Sequence, residues 1–330
     1  MKLASILLAI SLLPGMTPNG RSQEVSGIAA IERQTSASTA VKLEDFDRSI
    51  GPLKIKARSF MVVLNMKRIK FANNVNSQGE ETVARMQIRD GDGKVHYERS
   101  FPYKLDGDNF DETTEVSASV LEGSLGTGLL ITTDVEPSTP LGGGSYQVFG
   151  MFDDKLVPLS KPLSMEGQLI RDSFEDNVAK TSAEPGLQGE VLRFRIWSGN
   201  VFVIIPVRVD WLQAKISPAW RCFKTTPRGV LPICHFNVEA ERIPPEQEMT
   251  FVRLHAEADE TMGVDEHIVI KKSSSIDILE AEGELLWQEG ADQIELGVGK
   301  DLWLKVRIDG KEGWIHTQED FNAVGLPEAG

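Results

Sequence analysis

A chain of 330 residues with a hydrophobic fraction of 41% and a charged fraction of 25% has the composition of an ordinary globular protein, with room for two domains. Its formal net charge of −14 argues against nucleic acid or an anionic membrane surface as the main partner, because both reward a basic face. The nearest basic cluster, Lys67-Arg68-Ile69-Lys70, falls in an expected strand and reads as a solvated strand edge.

The N-terminus has the pattern of an export signal over 1–22: Lys2, an apolar run from Leu3 to Leu13, then Pro14-Gly15. The run is shorter than the roughly 20 apolar residues of a spanning helix. Gly20-Arg21-Ser22 before Gln23 offers small residues at a cleavage spacing, and no cysteine follows that could carry a lipid anchor. An uncleaved N-terminal anchor is the competing reading. The expectation is an exported protein, periplasmic or extracellular, with no membrane span after signal cleavage. Residues 23–50, rich in Ser, Thr, Ala and charge, read as a disordered linker.

From Leu53 the pattern turns to strands. Leu53-Lys-Ile-Lys-Ala-Arg alternates, and Phe60 to Leu64 continues as a buried run. Val83–Arg89 and Lys94–Phe101 flank Asp90-Gly-Asp-Gly93, a hairpin signal. Val116–Val120 and Gly128–Thr133 follow, then a Pro/Gly loop at 137–144. A third hairpin, Tyr146–Phe152 with Lys155–Leu159, turns at Asp153-Asp154. The polar stretch 166–190 reads as a linker with one short helix near 171–179. Val191–Trp197 and Val201–Val209 flank Ser198-Gly-Asn200, and Pro206 makes the second strand an edge or a bulge. Phe251–His255 adds a strand before the acidic junction 257–265. Short strands with regular turn signals predict a mainly β protein with an antiparallel sandwich over 51–262. One sandwich or two small sheets would both fit.

Cys222 and Cys234 are the only cysteines and lie close together around the turn segment Thr225–Gly229. In an oxidising compartment such a pair suggests a disulfide, contributing about 2–3 kcal/mol. A metal site with His235 and a catalytic thiol are the alternatives, but the C-x-x-C knuckle of zinc sites is missing and both cysteines lie in a strand–turn–strand context rather than at a helix start.

The C-terminal run Asp301–His316 reads as a tight hairpin around Asp309-Gly310, because a type I′ turn needs φ > 0 at both central positions. That turn pairs Ile308 with Lys311, Val306 with Gly313 and Leu304 with Ile315. Side-chain alternation puts Leu304, Val306, Ile308 and Ile315 on a core face. The other face carries Trp303, Lys305, Arg307, Glu312, Trp314 and His316. It either stabilises the hairpin and is capped, or presents Trp303, Lys305, Trp314 and His316 as a ligand platform.

The run Trp303–His316 resembles the W-x-K-V-x-x-x-G-x-x-G-W-V ending of bacterial SH3-like (SH3b) modules. The resemblance covers about Glu266–Pro327. The family's L-N-V-R-x-G-P-S segment is replaced here by Ile268-Val-Ile-Lys-Lys-Ser-Ser-Ser275. It implies a C-terminal SH3-like barrel over 263–330 that binds rather than catalyses, with cell-wall peptide or an envelope protein as partner.

Chemistry is sparse. G-x-S-x-G, H-E-x-x-H, Walker A and G-x-G-x-x-G are absent from the sequence. Gly123–Gly128 is a Gly-rich turn without a following helix, so phosphate binding is not expected. Asp106–Glu112 and Asp90–Lys94 depart from a calcium loop at Phe110 and Lys94 and read as solvated turns. His96, His255 and His267 have no evident partners. No catalytic residue, metal or cofactor is therefore expected. The main expectation is a non-enzymatic exported envelope protein with a docking module. An envelope hydrolase with an unrecognised carboxylate pair and a structural assembly component are the alternatives.

Overall fold

The computed structural model describes residues 41–71, 79–106, 109–110, 113–135, 143–170, 175–176, 190–219, 224–226, 229–231, 233–240, 242–243, 249–259 and 266–326. The signal-like segment 1–22, most of the expected linker and Cys222 lie outside them. The described chain is mainly β, in several sheets.

Strands β1 (Val41–Ile55), β2 (Arg58–Phe71), β3 (Glu81–Asp90) and β4 (Val95–Ser100) form an antiparallel sheet in sequence order. β1 starts twelve residues before the strand expected from alternation at Leu53, because Val41–Ile50 finds a register on the far half of β2. The basic cluster on β2 is not at an edge: β2 is interior, with acids on both neighbours. Lys67 and Arg68 lie opposite Asp45 and Glu44 on β1, and Arg68 lies opposite Glu81 on β3. Lys67 pairs with Asp45, Lys70 with Glu44 at 2.7 Å and Arg68 with Glu81 at 2.5 Å.

The turn from β3 to β4 uses Asp90 as its knot. Its Oδ1 accepts from the backbone N–H of Asp92 (3.1 Å) and Lys94 (2.9 Å), and its Oδ2 meets His96 Nε2 at 2.9 Å. The expected solvated turn thus contains a buried carboxylate–imidazole pair. Short strands β5 (Leu105–Asp106) and β6 (Asn109–Phe110) follow.

β7 (Thr114–Glu122), β8 (Thr127–Val135), β9 (Gly143–Phe152) and β10 (Lys155–Pro158) form an antiparallel wall. Its inner strands β8 and β9 are buried on both sides. Leu129, Ile131 and Phe149 pack with Phe60, Val62, Leu64, Met86 and Ile88 of the first sheet. Leu130, Tyr146 and Val148, on the opposite face, join a second core. That two-sided burial explains the unbroken apolar run Leu129-Leu130-Ile131. Each such side chain contributes about 1.5–3 kcal/mol relative to exposure.

The second core fills a closed ring. β11 (Leu163–Leu169) leads to β12 (Glu175–Asp176), β13 (Glu190–Trp197), β14 (Phe202–Asp210) and β15 (Lys215–Pro218). Next come β16 (Lys224–Thr226), β17 (Gly229–Leu231), β18 (Ile233–Glu239), β19 (Met249–Leu254), β20 (Glu266–Lys271), β21 (Ile276–Glu289) and β22 (Ile294–Val298). Pairings run β13-β14-β18-β21-β22-β11. The ring shuts where β11 meets β13, Gly167 lying opposite Ile196. A Cβ at Gly167 would sit 2.3 Å from the Arg195 carbonyl oxygen, so the closing pair requires glycine. Met165, Phe194, Ile205, Phe236, Leu285 and Leu296 are among the side chains of the enclosed core.

Two expectations change here. β14 is not an edge: β13 pairs along its length, while β18 and β15 take successive parts of its other side. Pro206 stands in the gap between those two, where no ladder donor is needed. The helix expected near 171–179 lies mostly outside the described residues, and the described pair Glu175–Asp176 is a strand on β13. The expected linker stretch 166–190 likewise begins in β11 and ends in β13.

The last elements are β23 (Trp303–Ile308), β24 (Lys311–Ile315) and α1 (Gln318–Ala323). β21 is long because it serves both regions. Its first half pairs with β23 and its second half with β22, while β18 occupies its other edge. The C-terminal strands therefore continue the sheet of the middle region within one compact unit, Ala40–Gly330.

Candidate functional site

The hairpin β23–β24 has the register expected from its turn: Ile308 opposite Lys311, Val306 opposite Gly313 and Leu304 opposite Ile315. Asp309 and Gly310 take φ of 49° and 88°, as a type I′ turn requires. Asp309 also accepts from Ser274 Oγ and the Ser275 N–H, both at 2.8 Å, which ties the turn to the start of β21. These bonds hold its carboxyl below the usual aspartate range, the Ser274 bond first. Leu304, Val306, Ile308 and Ile315 are fully buried in the ring-side core.

The second face gains partners from distant strands. A bulge in β21 between Ile278 and Glu280 shifts the alternation by one residue. It leaves Ile276 and Ala281 buried in the core while Glu280 and Glu282 lie opposite Lys305 and Trp303. His235 on β18 lies opposite Glu282. On the other side, the backbone of Trp314 pairs with that of His255 just beyond β19, by N–H···O bonds of 2.9 and 2.8 Å. Three of the five histidines thereby converge on two tryptophans. His316 stacks on Trp303 at 4.4 Å, His255 meets Trp303 edge-on at 5.1 Å, and His235 lies 5.9 Å from Trp314.

Of the expected platform residues Trp303, Lys305, Trp314 and His316, the tryptophans are covered. Trp303 and Trp314 are 8% and 7% exposed and form a small core of their own with Ala258. Lys305 and His316 are half-buried at its rim. The open part of the face is ionic. His235 lies 3.5 Å from Glu280 and 3.3 Å from Glu282; Lys305 lies 3.4 Å from Glu280 and 3.8 Å from Glu312. Arg307 donates to Glu312 at 2.6 Å and lies 3.7 Å from Asp277. The Arg307 hydrogen bond holds the Glu312 carboxyl below its ordinary range and raises the guanidinium in turn. The Lys305 ammonium sits 5.9 Å from the Trp314 ring centre.

Against known proteins, the chain matches no family model, no curated protein and no solved structure.

The elements around the face are fixed by Asp320, which is 1% exposed. Its Oδ1 accepts the Arg253 N–H at 3.0 Å, and its Oδ2 accepts from Thr317 Oγ1 at 2.6 Å. Thr317 caps α1 by accepting the Asp320 N–H, and it also accepts from Arg253 at 2.7 Å. β19 and α1 are thus joined through one capping group.

The contributions of His235, His255, Glu280 and Glu282 were not legible in the sequence. The only local signal was the period-two run of Glu280, Glu282 and Glu284 beside Ala281 and Leu285. Of the cysteines, Cys234 is fully buried in β18, and Cys222 lies outside the described residues. Four of the seven residues of the Asp106–Glu112 stretch lie outside them as well; the described Phe110 N–H donates to Glu80 at 2.8 Å. Among the described residues no group of three or more His, Cys, Asp and Glu could hold a metal ion, and no helix is long and apolar enough to cross a membrane.

The Gly-rich turn 123–126 is organised by a buried acid. Glu190, fully buried, accepts the Leu125 N–H at 2.7 Å, the Ser124 hydroxyl at 3.4 Å and the Trp211 indole N–H. Several donors on one carboxylate account for its burial by hydrogen bonding within the fold.

Proposed function

We propose that this chain is a non-enzymatic exported protein of a bacterial envelope, with its SH3-like C-terminal part acting as a docking module. The observation that carries the reading is the second face of β23–β24: a closed tryptophan–histidine cluster under a rim of ion pairs. Carboxylates placed there engage histidine, lysine or arginine, an arrangement suited to polar contact with another surface. Covered tryptophans favour an envelope protein over a cell-wall peptide as the partner, since stacking on a sugar or peptide needs an open ring face.

A permanent structural role is the second reading, favoured by the packing of Trp303 and Trp314 against Ala258. The test is tryptophan fluorescence of the full chain titrated with soluble wall fragments, alongside cross-linking of Lys305 in envelope extracts. Docking to a protein predicts no shift with wall fragments and a specific cross-linked partner lost in Lys305→Glu. A saturable shift abolished in His316→Ala would instead establish wall-peptide binding. Neither a shift nor a partner would leave the structural reading.

A further inference from the structure

The hairpin β19–β20 carries apolar side chains on both faces. Its inner face carries Val252, Leu254 and Ile270, at 1%, 3% and 1% exposure, all in the ring-side core. A hairpin lying over a core would be expected to turn polar side chains outward. Here Phe251 lies opposite Val269, and Met249 lies opposite Lys271. Phe251 and Met249 are 63% and 58% exposed, and Val269 is 38% exposed. An aromatic and two aliphatic side chains together on one open face mark an interaction surface rather than scattered exposure.

The backbone beside this face is open too. Among the described residues β20 pairs with β19 alone, so its other edge presents main-chain donors and acceptors. Along that edge, on the face of Val269, stand the exposed His267 and Lys271, with the exposed Lys272 next in the chain. Among the described residues the acids around this hairpin have partners of their own. Glu266 pairs with Lys311, and Asp309 accepts from Ser274 and Ser275. Glu319 and Asp320 lie on Arg253, opposite His267, and Asp309 also feels the charge of Lys271. Among the described residues the β20 edge itself thus carries His267, Lys271 and Lys272, a local excess of cationic side chains on a chain whose net charge is −14.

We infer that the outer face and free edge of β19–β20 dock an extended acidic–apolar peptide segment of a partner protein, added as a strand beside β20. The inference goes beyond the module proposed above, because it uses a different surface and does not need the tryptophan face. A strand added there places every second side chain beside His267, Val269 and Lys271. The matching pattern is an apolar residue facing Val269 with a carboxylate two positions away on each side. A second copy of this chain is a poorer occupant. Antiparallel pairing across a two-fold at Val269 would set Lys271 of one copy against His267 of the other, with no acid between them.

The experiment is fluorescence anisotropy of the full chain with a labelled synthetic peptide built on Glu-Thr-Val-Thr-Glu. Two controls accompany it: the same peptide with lysine for glutamate, and one N-methylated along its backbone. Saturable binding of the acidic peptide alone is expected. Val269→Lys should abolish it. Lys271→Glu should weaken it about tenfold or more while admitting the lysine peptide. Because both positions are exposed, melting temperatures should not change, which separates lost binding from lost folding. Failure of the acidic peptide to bind, or binding indifferent to both substitutions, overturns the inference. Equal binding of the N-methylated peptide overturns strand addition, and flotation with anionic phospholipid vesicles in place of peptide binding assigns the patch to a membrane surface. None of these outcomes bears on the Lys305 cross-link, so the two readings fail separately.

Discussion

The hairpins β23–β24 and β19–β20 lie side by side, joined through the Trp314–His255 bridge, and their second faces have opposite fates. Both bury one face in the same core. The first hairpin carries tryptophans on its second face and hides them; the second carries Phe251 and Met249 and leaves them open. The difference lies in neighbours rather than in composition. β23 has strands on both sides, and Ala258, following β19, packs on Trp303 and on Trp314 of β24. Among the described residues β20 has a neighbour on one side only. A large apolar side chain on an outward face is thus a weak guide to a binding surface until the adjoining strand is known.

The comparison breaks most sharply by truncation. Trp314→Ala should lower the unfolding free energy by about 3–5 kcal/mol, as for a buried aromatic, whereas Phe251→Ala should stay within about 0.5 kcal/mol. Denaturant unfolding of the two variants checks this, and equal effects would erase the distinction. On the shared core face, Leu304→Ala should cost about 2–5 kcal/mol by the same measurement.

A smaller effect sharpens how the hairpins are held together. Asp320→Ala removes the acceptor shared by Arg253 and Thr317 and should cost about 1–3 kcal/mol, with hydrogen exchange accelerated in β19 and α1 ahead of β23. Uniform acceleration would deny that this cap couples them. Smallest of all, the rim pair Arg307–Glu312 is exposed, and a double-mutant cycle should give under about 1 kcal/mol, declining with salt.

Acid should act on the first sheet, at the β3–β4 turn. The His96 hydrogen bond, aided by the Lys94 and Asp92 N–H groups, holds the Asp90 carboxyl below its ordinary value. A depressed carboxyl favours the folded state at every pH above the unfolded value of about 3.9, and that contribution disappears as pH falls through the folded value. Melting curves from pH 7 down to about 2 should therefore show a smaller acid loss in Asp90→Asn than in the parent. Parallel curves would mean that the pair does not titrate with folding.

Local chemistry alone determined the hairpin turns at Asp90–Gly93, Asp153-Asp154 and Asp309-Gly310, the mainly β class and the core faces of Leu304, Val306 and Ile308. Turn geometry and period-two alternation act within a few residues, so they can be read without a partner strand. The register of β23–β24 followed from its turn for the same reason. Only the tertiary structure decided that β11 closes on β13, that Pro206 fits a gap in an interior strand, that β21 bulges before Glu280, and that His235 and His255 reach the tryptophans. Each of these depends on contacts between residues far apart in the chain. Whether a second face ends covered or open is set by what packs on it, and alternation within the strand carries no record of that.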